Sequence, residues 1–140
     1  MGIIASKTAI TRFRDLRVWQ IGMQLVEAVY RLTQEFPRAE TYGLTYQMRR
    51  AAVSVPSNIA EGHVREHLKE YLHHISIAQG SLAELQTQAE IAARLRYLSQ
   101  EQLDEIRAFA ETLAKQLYSL RNALGAKVKS NAMAVPTPNT

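Results

Sequence analysis

The sequence predicts an all-α protein, an antiparallel up-down bundle of four helices. Four long stretches place apolar residues at spacings of three and four, the period of a helix with one buried face. Proline, glycine and capping residues separate these stretches, and no long stretch alternates apolar and polar residues as a half-buried strand would. At 140 residues the chain is long enough to form one such domain.

The first helical pattern runs from about Asp15 to Phe36, and Pro37 ends it. Its apolar residues form two neighbouring stripes. The first stripe contains Trp19, Met23, Val26, Tyr30 and Thr33, and the second contains Val18, Ile21, Leu25, Ala28 and Leu32. A single packing contact needs only one stripe, so the width indicates burial on two sides, by the bundle and by another subunit.

The second pattern begins near Leu44 and has Pro56 in its interior. A proline there removes one backbone hydrogen bond and clashes with the preceding turn, at a cost of about 3 kcal/mol or more. Because the apolar spacing continues on both sides of Pro56, we expect a continuous helix that is kinked at Pro56. Ser54 and Ser57 are expected to satisfy part of the freed carbonyl groups.

The third pattern runs from about Glu66 to Arg96 and has the small residues Gly80 and Ser81 near its middle. A glycine inside a helix costs roughly 1 kcal/mol relative to alanine. We expect close packing against Ala51, Ala52 and Ser54 of the second helix to compensate for this cost.

The fourth helix is predicted to begin near Gln100, because Ser99 and Gln102 form a capping box. Gly125 is expected to end it. The bundle then covers residues 14–125, between a flexible arm at residues 1–13 and a disordered tail at residues 126–140.

Composition narrows the classes of function. The chain has no cysteine, which excludes disulfides and thiolate chemistry, and it contains no signal-peptide core or membrane-spanning stretch. A cytoplasmic protein is expected. The net charge is +4, and all of this excess lies in residues 1–50, which carry eight basic and four acidic groups. Such a bias attracts polyanions, although a solvated surface explains it equally well.

Catalytic and metal-binding patterns are weak. The chain has no nucleophile elbow and no phosphate-binding glycine loop, so we interpret it as a non-enzyme. The spacing of His63, His67, Glu70 and His74 is that of metal ligands on one helical face. Gly62 is expected to break the helix at this point, and one helix cannot surround a metal, so no metal or cofactor is assigned. Several aromatic residues could stack nucleic-acid bases, but at helical spacing among aliphatic residues we interpret them as core packing: Trp19, Tyr30, Tyr46, Tyr71, Phe109 and Tyr118.

Clustered arginines are the candidate nucleic-acid contacts: Arg12, Arg14, Arg17, Arg49, Arg50 and Arg65. Arg49 and Arg50 point about 100° apart on a helix, so at most one faces the polar stripe that contains Ser54, Ser57 and Glu61. Arg50 and Arg65 could instead flank Glu61 in an intramolecular ion pair. An arginine serves both roles, and the alternatives stay open.

Four segments together form a long and specific pattern: DLRVWQ at 15–20, VYRLTQEFP at 29–37, YGLTYQMRRAAVSVPSNIAEG at 42–62 and EYLHHISIAQGSLAELQTQ at 70–88. This pattern resembles a known family, the bacterial four-helix bundle proteins related to those encoded by intervening sequences in 23S rRNA genes. With the capped fourth helix, the resemblance covers roughly residues 13–124. The chain departs from the family pattern at His63, Val64 and His74.

The resemblance implies an up-down bundle that assembles into a homopentamer, without an established activity for most members. A related branch, the accessory variability protein of diversity-generating retroelements, works with a reverse transcriptase and nucleic acid. We therefore expect a homo-oligomer that binds RNA or DNA through its arginines, with a reverse transcriptase as a further candidate partner. The candidate subunit contacts are Trp19, Ser54, Ser57, Asn58 and Glu61. The alternatives are a protein-interaction scaffold and, third, a metal-binding bundle.

Overall fold

The structure, a computed structural model, describes residues 12–134, a range in which helices are joined by turns and short loops and no strand occurs. Its four helices are α1 (Arg17–Thr33), α2 (Leu44–His63), α3 (Leu68–Arg94) and α4 (Gln100–Ala134). Short 3-10 turns lie at Phe13–Asp15 and Arg38–Glu40. The predicted all-α class is confirmed.

The four helices surround one apolar core. Each helix packs against the next in the chain, and α4 closes the bundle against α1. The fully buried large side chains come from every helix: Leu25, Val29, Met48, Val55, Ile59, Ile75, Leu85, Ile106, Leu113 and Leu117. The second predicted stripe of α1 lies in this core, whereas Met23 and Tyr30 of the first stripe remain exposed.

Contacts between neighbouring helices run in opposite sequence directions, as they do between antiparallel helices. Near the start of α1, Gly22 lies against Pro56 of α2, and at the end of α1, Thr33 accepts a hydrogen bond from Arg49 at 2.9 Å. From α2 to α3, Ser54 pairs with Ser81. These contacts hold α2 against α1 on one side and against α3 on the other.

Pro56 lies inside α2, which continues without interruption to His63. The continuous helix is thereby confirmed, and the bend at Pro56 stays a prediction. The proline is buried and lies directly against Gly22, where an added methyl group would be only 3.2 Å from the Pro56 Cβ. The carbonyl of Ser54, two residues before the proline, accepts a hydrogen bond from the side-chain amide of Asn58 at 2.9 Å. Pro56 thus serves as an apolar contact between α1 and α2.

Gly62 sets the distance between α2 and α3 where the chain turns. A Cβ at this position would lie 2.8 Å from the Cβ of His74 and 3.2 Å from the carbonyl oxygen of Tyr71. Real atoms do not approach so closely, so only glycine fits without a shift of the helices. The break in the helix comes just after this glycine, at His63.

The prediction that Gly80 packs closely against the second helix is wrong. Its Cβ position faces open space, with no atom within 4 Å, so no helix packs closely against it. The small residue of α3 that does contact α2 is Ser81, whose Oγ lies 2.7 Å from that of Ser54. One position along a helix turns a side chain by about 100°, which is enough to separate a packed residue from an exposed one.

The predicted end of α4 is also wrong. The helix passes through Gly125 and continues to Ala134, so residues 126–134 are helical rather than part of a disordered tail. A single glycine costs a helix only about 1 kcal/mol, and Val128 continues the spacing of Leu120 and Leu124 beyond it. Residues 135–140 of the predicted tail, and residues 1–11 of the predicted arm, lie outside the described range.

The start of α4 is confirmed. The Ser99 Oγ accepts a hydrogen bond from the Gln102 amide at 3.1 Å, and the Gln102 side chain accepts one from the Ser99 amide at 2.8 Å. These reciprocal bonds satisfy two donors that the first turn of a helix leaves free.

We predict opposite effects for two glycine substitutions. Gly62→Ala should lower the free energy of unfolding by about 1–3 kcal/mol, because the new methyl group overpacks the contact between α2 and α3. Gly80→Ala is the matched control and should raise it by up to about 1 kcal/mol, because the position is open and alanine is the better helix former. Chemical denaturation followed by circular dichroism measures both. Equal effects of the two substitutions would contradict the packing described here.

Candidate nucleic-acid interface

Charge is segregated along α4. Residues 100–111 carry Glu101, Asp104, Glu105 and Glu111 against the single basic residue Arg107. Residues 112–134 carry Lys115, Arg121, Lys127 and Lys129 and no acidic residue. Cations near the C-terminus of a helix also complement its dipole, so part of this pattern serves the helix itself. The dipole acts only within the last turn of the helix, so it does not account for all four of these cations.

Two grooves bring further cations to the same end of the bundle. Arg17 at the start of α1 and Lys115 of α4 line one groove, with Leu16 and Leu120 as its apolar residues. Lys69 at the start of α3 and Lys129 of α4 line another, which also contains the carboxylate of Glu66. We call these six cations the basic end: Arg17, Lys69, Lys115, Arg121, Lys127 and Lys129. Within residues 12–134, none of them forms an ion pair with a carboxylate.

The predicted arginines near the N-terminus lie next to the basic end. Arg12 is within 3.9 Å of the Asp15 carboxylate, and both groups are exposed, so solvent screens their attraction. The guanidinium of Arg14 lies 6.0 Å from the ring centre of Phe13, which packs edge-on against Trp19. These contacts hold the arginines close to the first turn of α1 and leave them accessible.

Arg49 lies elsewhere and is engaged within the chain. Its Nε donates to Thr33 Oγ1 at 2.9 Å, its Nη2 donates to the Tyr30 carbonyl at 3.3 Å, and its guanidinium lies 4.5 Å from the Tyr30 ring centre. Thr33 and Arg17 are the two ends of α1, about 24 Å apart at the usual helical rise. Arg49 therefore ties α2 to the end of α1 and does not join the basic end.

Arg50 and Arg65 have different environments. Arg50 is exposed and has no carboxylate partner among the described residues. Arg65 donates to Glu61 at 2.7 Å, one helical turn away. The expected pairing with Glu61 is thus found for Arg65 and not for Arg50.

A polar junction joins α2 to α3, and it contains three of the predicted subunit contacts. Asn58 donates to the Ser54 carbonyl and to Ser54 Oγ, at 2.9 and 3.0 Å, and its Oδ1 lies 3.0 Å from His74 Nδ1. Because the Ser54 carbonyl can only accept, the amide oxygen of Asn58 must face His74, whose Nδ1 then donates. Glu61 lies on the other side of the ring, 3.8 Å from His74 Nε2. Ser54, Asn58 and Glu61 thus have partners within one chain, whereas Ser57 is exposed.

The histidines do not form the ligand set that their spacing suggested. Residues His63 and His74 lie on different helices, because α2 ends at His63 and α3 begins at Leu68. His63 Nδ1 lies 3.0 Å from the Tyr71 hydroxyl, and burial raises the pKa of Tyr71 above its ordinary value. No group of three metal-ligating side chains occurs within residues 12–134.

A second exposed surface is apolar and lies on α1 and α2. Met23, Tyr30 and Val53 are each about two-fifths exposed, at 41, 42 and 39%. Trp19 and Val26, which share the α1 stripe, are partly buried against the core. We call this surface the α1/α2 face. It corresponds to the first stripe predicted on α1, and Ser57 adjoins Pro56 on the same helix.

The fold and these surfaces define the class: a four-helix bundle with one basic end and one apolar face. Within that range, no helix is long and apolar enough to cross a membrane. The 23S rRNA-intervening sequence protein family matches residues 14–119, about three-quarters of the chain. The chain belongs to this family.

A solved structure shows the same fold. It is that of a protein with unknown function from the S23 ribosomal protein family, from Bacteroides thetaiotaomicron. The TM-score is 0.68 at 19% sequence identity, and the match covers 74% of this chain and 97% of the other. No curated protein matches the sequence.

Proposed function

We propose that this protein is a non-catalytic homo-oligomer that binds RNA or DNA through the phosphate backbone. The observation that carries the proposal is the basic end. Its cations come from α1, α3 and α4, and they have no carboxylate partner among the described residues. Phosphates are the natural partners of such a cluster, because each contact releases a counterion condensed on the nucleic acid.

The position of the cations supports backbone contact over internal structure. Lys115, Arg121, Lys127 and Lys129 extend over fifteen residues of one helix, about 21 Å at the usual rise. They point in different directions around the helix, so together they attract a polyanion from several sides, and a strand on one face contacts only some of them. Arginines that hold the bundle together, such as Arg31 with Glu105 and Arg107 with Glu90, pair with carboxylates instead.

The α1/α2 face supports assembly. Met23, Tyr30 and Val53 leave apolar surface in water that a second copy of the chain would cover. The family resemblance implies five subunits. A closed ring would present one basic end from each subunit, and several weak phosphate contacts on one nucleic acid multiply the overall affinity. A reverse transcriptase stays a candidate partner from the resemblance alone.

Removal of cations from the basic end should flatten the salt dependence of nucleic-acid binding. In a titration with a fluorescent 20-nucleotide RNA, Lys127→Gln with Lys129→Gln should lower the slope of log affinity against log salt by roughly 0.7 for each lost phosphate contact. Arg94→Gln with Arg96→Gln is the control, since it removes the same charge near the far end of α3. If both double variants change the slope equally, the basic end is not the binding surface. If the wild type does not bind the RNA, the scaffold alternative is favoured.

A charge on the α1/α2 face should break the assembly. Met23→Glu should reduce the mass measured by light scattering to that of smaller species, because a buried unpaired carboxylate costs several kcal/mol. Ile91→Glu is the matched control, since Ile91 is similarly exposed, at 43%, but lies on α3. A wild-type protein that is a stable monomer at micromolar concentration would contradict the proposed oligomer.

A further inference from the structure

Tyr118 is an exposed aromatic residue among the cations of α4. It is 62% exposed, although its spacing from the leucines of α4 suggested core packing. The core residues Leu113, Leu117 and Leu124 point to the other side of the helix. Burial therefore does not account for this ring, and nothing described within the chain stacks on it.

Lys115 and Arg121 lie three residues before and after Tyr118, and Asn122 lies four residues after it. Residues three or four apart on a helix are neighbours, with Cβ atoms about 5–6 Å apart. All four residues are exposed to solvent. The ring is thus flanked by a cation on each side along the helix.

The nearest acidic residue of α4 is Glu111, which lies seven residues before Tyr118, about 10 Å along the axis. From there to Ala134 the helix carries no negative charge. Beyond Arg121, the exposed face continues over Ala126 to Lys129, and a Cβ at Gly125 would meet no atom within 4 Å. This stretch of α4 therefore offers a strand no carboxylate of its own, with Leu72 of α3 beside Arg121 and Glu66, just before α3, in the groove at Lys129.

An aromatic face between cations is the arrangement that binds unpaired bases. The ring stacks on one base, and the flanking cations contact the phosphates on either side of that nucleotide. Bases in a duplex are stacked on one another and cannot use such a ring. This difference separates a single-strand site from a surface that attracts any polyanion.

We propose that Tyr118, with Lys115 and Arg121, forms a binding site for single-stranded nucleic acid, in which one base stacks on the tyrosine. This inference rests on the proposed function and goes beyond it, since it assigns the strand form and one stacking residue. The site needs no base-specific hydrogen bonds, so it tolerates any sequence. Stacking also provides affinity that persists at salt concentrations where phosphate contacts weaken.

Fluorescence anisotropy with a 20-nucleotide single strand, as RNA and as DNA, and with a 20-base-pair duplex tests the proposal. Tyr118→Ala should weaken single-strand binding by roughly fivefold or more, which is the range of one lost stacking contact, and leave duplex binding unchanged. Tyr118→Phe keeps the ring and should bind as the wild type does. Circular dichroism and light scattering check that helicity and mass are unchanged.

Three outcomes would overturn the inference. If Tyr118→Ala binds the single strand as well as the wild type does, the stacking site is wrong, while phosphate binding at the basic end stands. If the variant loses single strand and duplex equally, or loses assembly mass, Tyr118 has a structural role. If the wild type binds neither form at low salt, the proposed function fails as well.

Discussion

The structure depends on the close packing of α2 against both of its neighbours. Pro56 fits against Gly22 of α1, and Gly62 lets α3 approach until no methyl group would fit between the helices. On the same helix, Ser54 pairs with Ser81 and Asn58 with His74 of α3. A proline inside a helix is costly, and its burial against α1 offsets part of that cost. The positions of α1 and α3, and hence of the surfaces they carry, follow from how α2 is held.

The two proposed surfaces use residues that the packing of α2 leaves free. Arg49 and Arg65 are bound within the chain, while the cations of the basic end are not paired with carboxylates in the described range. The polar residues of α2 first suggested a subunit contact, but most of them hold α3. The apolar α1/α2 face is the stronger candidate for assembly, because Met23 and Val53 remain exposed there, while Tyr30 on the same face packs against Arg49.

The helices and the core could be predicted from the sequence, because burial imposes a repeat of three and four that a chain shows directly. The capping box could also be predicted from the sequence, because Ser99 and Gln102 lie only three positions apart. Contacts between helices could not be predicted, because they depend on the rotation of each helix about its own axis. This rotation brings Arg49 within hydrogen-bond distance of Thr33 and leaves Gly80 without a neighbour on α2. The charge segregation along α4 was missed because its four acidic and five basic residues leave a net charge of only +1. The prediction that α4 ends at Gly125 was wrong, because the cost of one glycine does not outweigh a continuing apolar stripe.

Native-state hydrogen exchange across α2 tests the central claim most directly. If Pro56 packs α2 against α1 within one uninterrupted helix, amides on both sides of it, in residues 48–55 and 58–63, should exchange only in large cooperative openings, with similar protection. Exchange of residues 58–63 at the rates of a locally frayed segment, while residues 48–55 stay protected, would contradict the account. Such a result would mean that α2 ends at the proline and that the contacts of Asn58 and Gly62 with α3 do not fix the bundle.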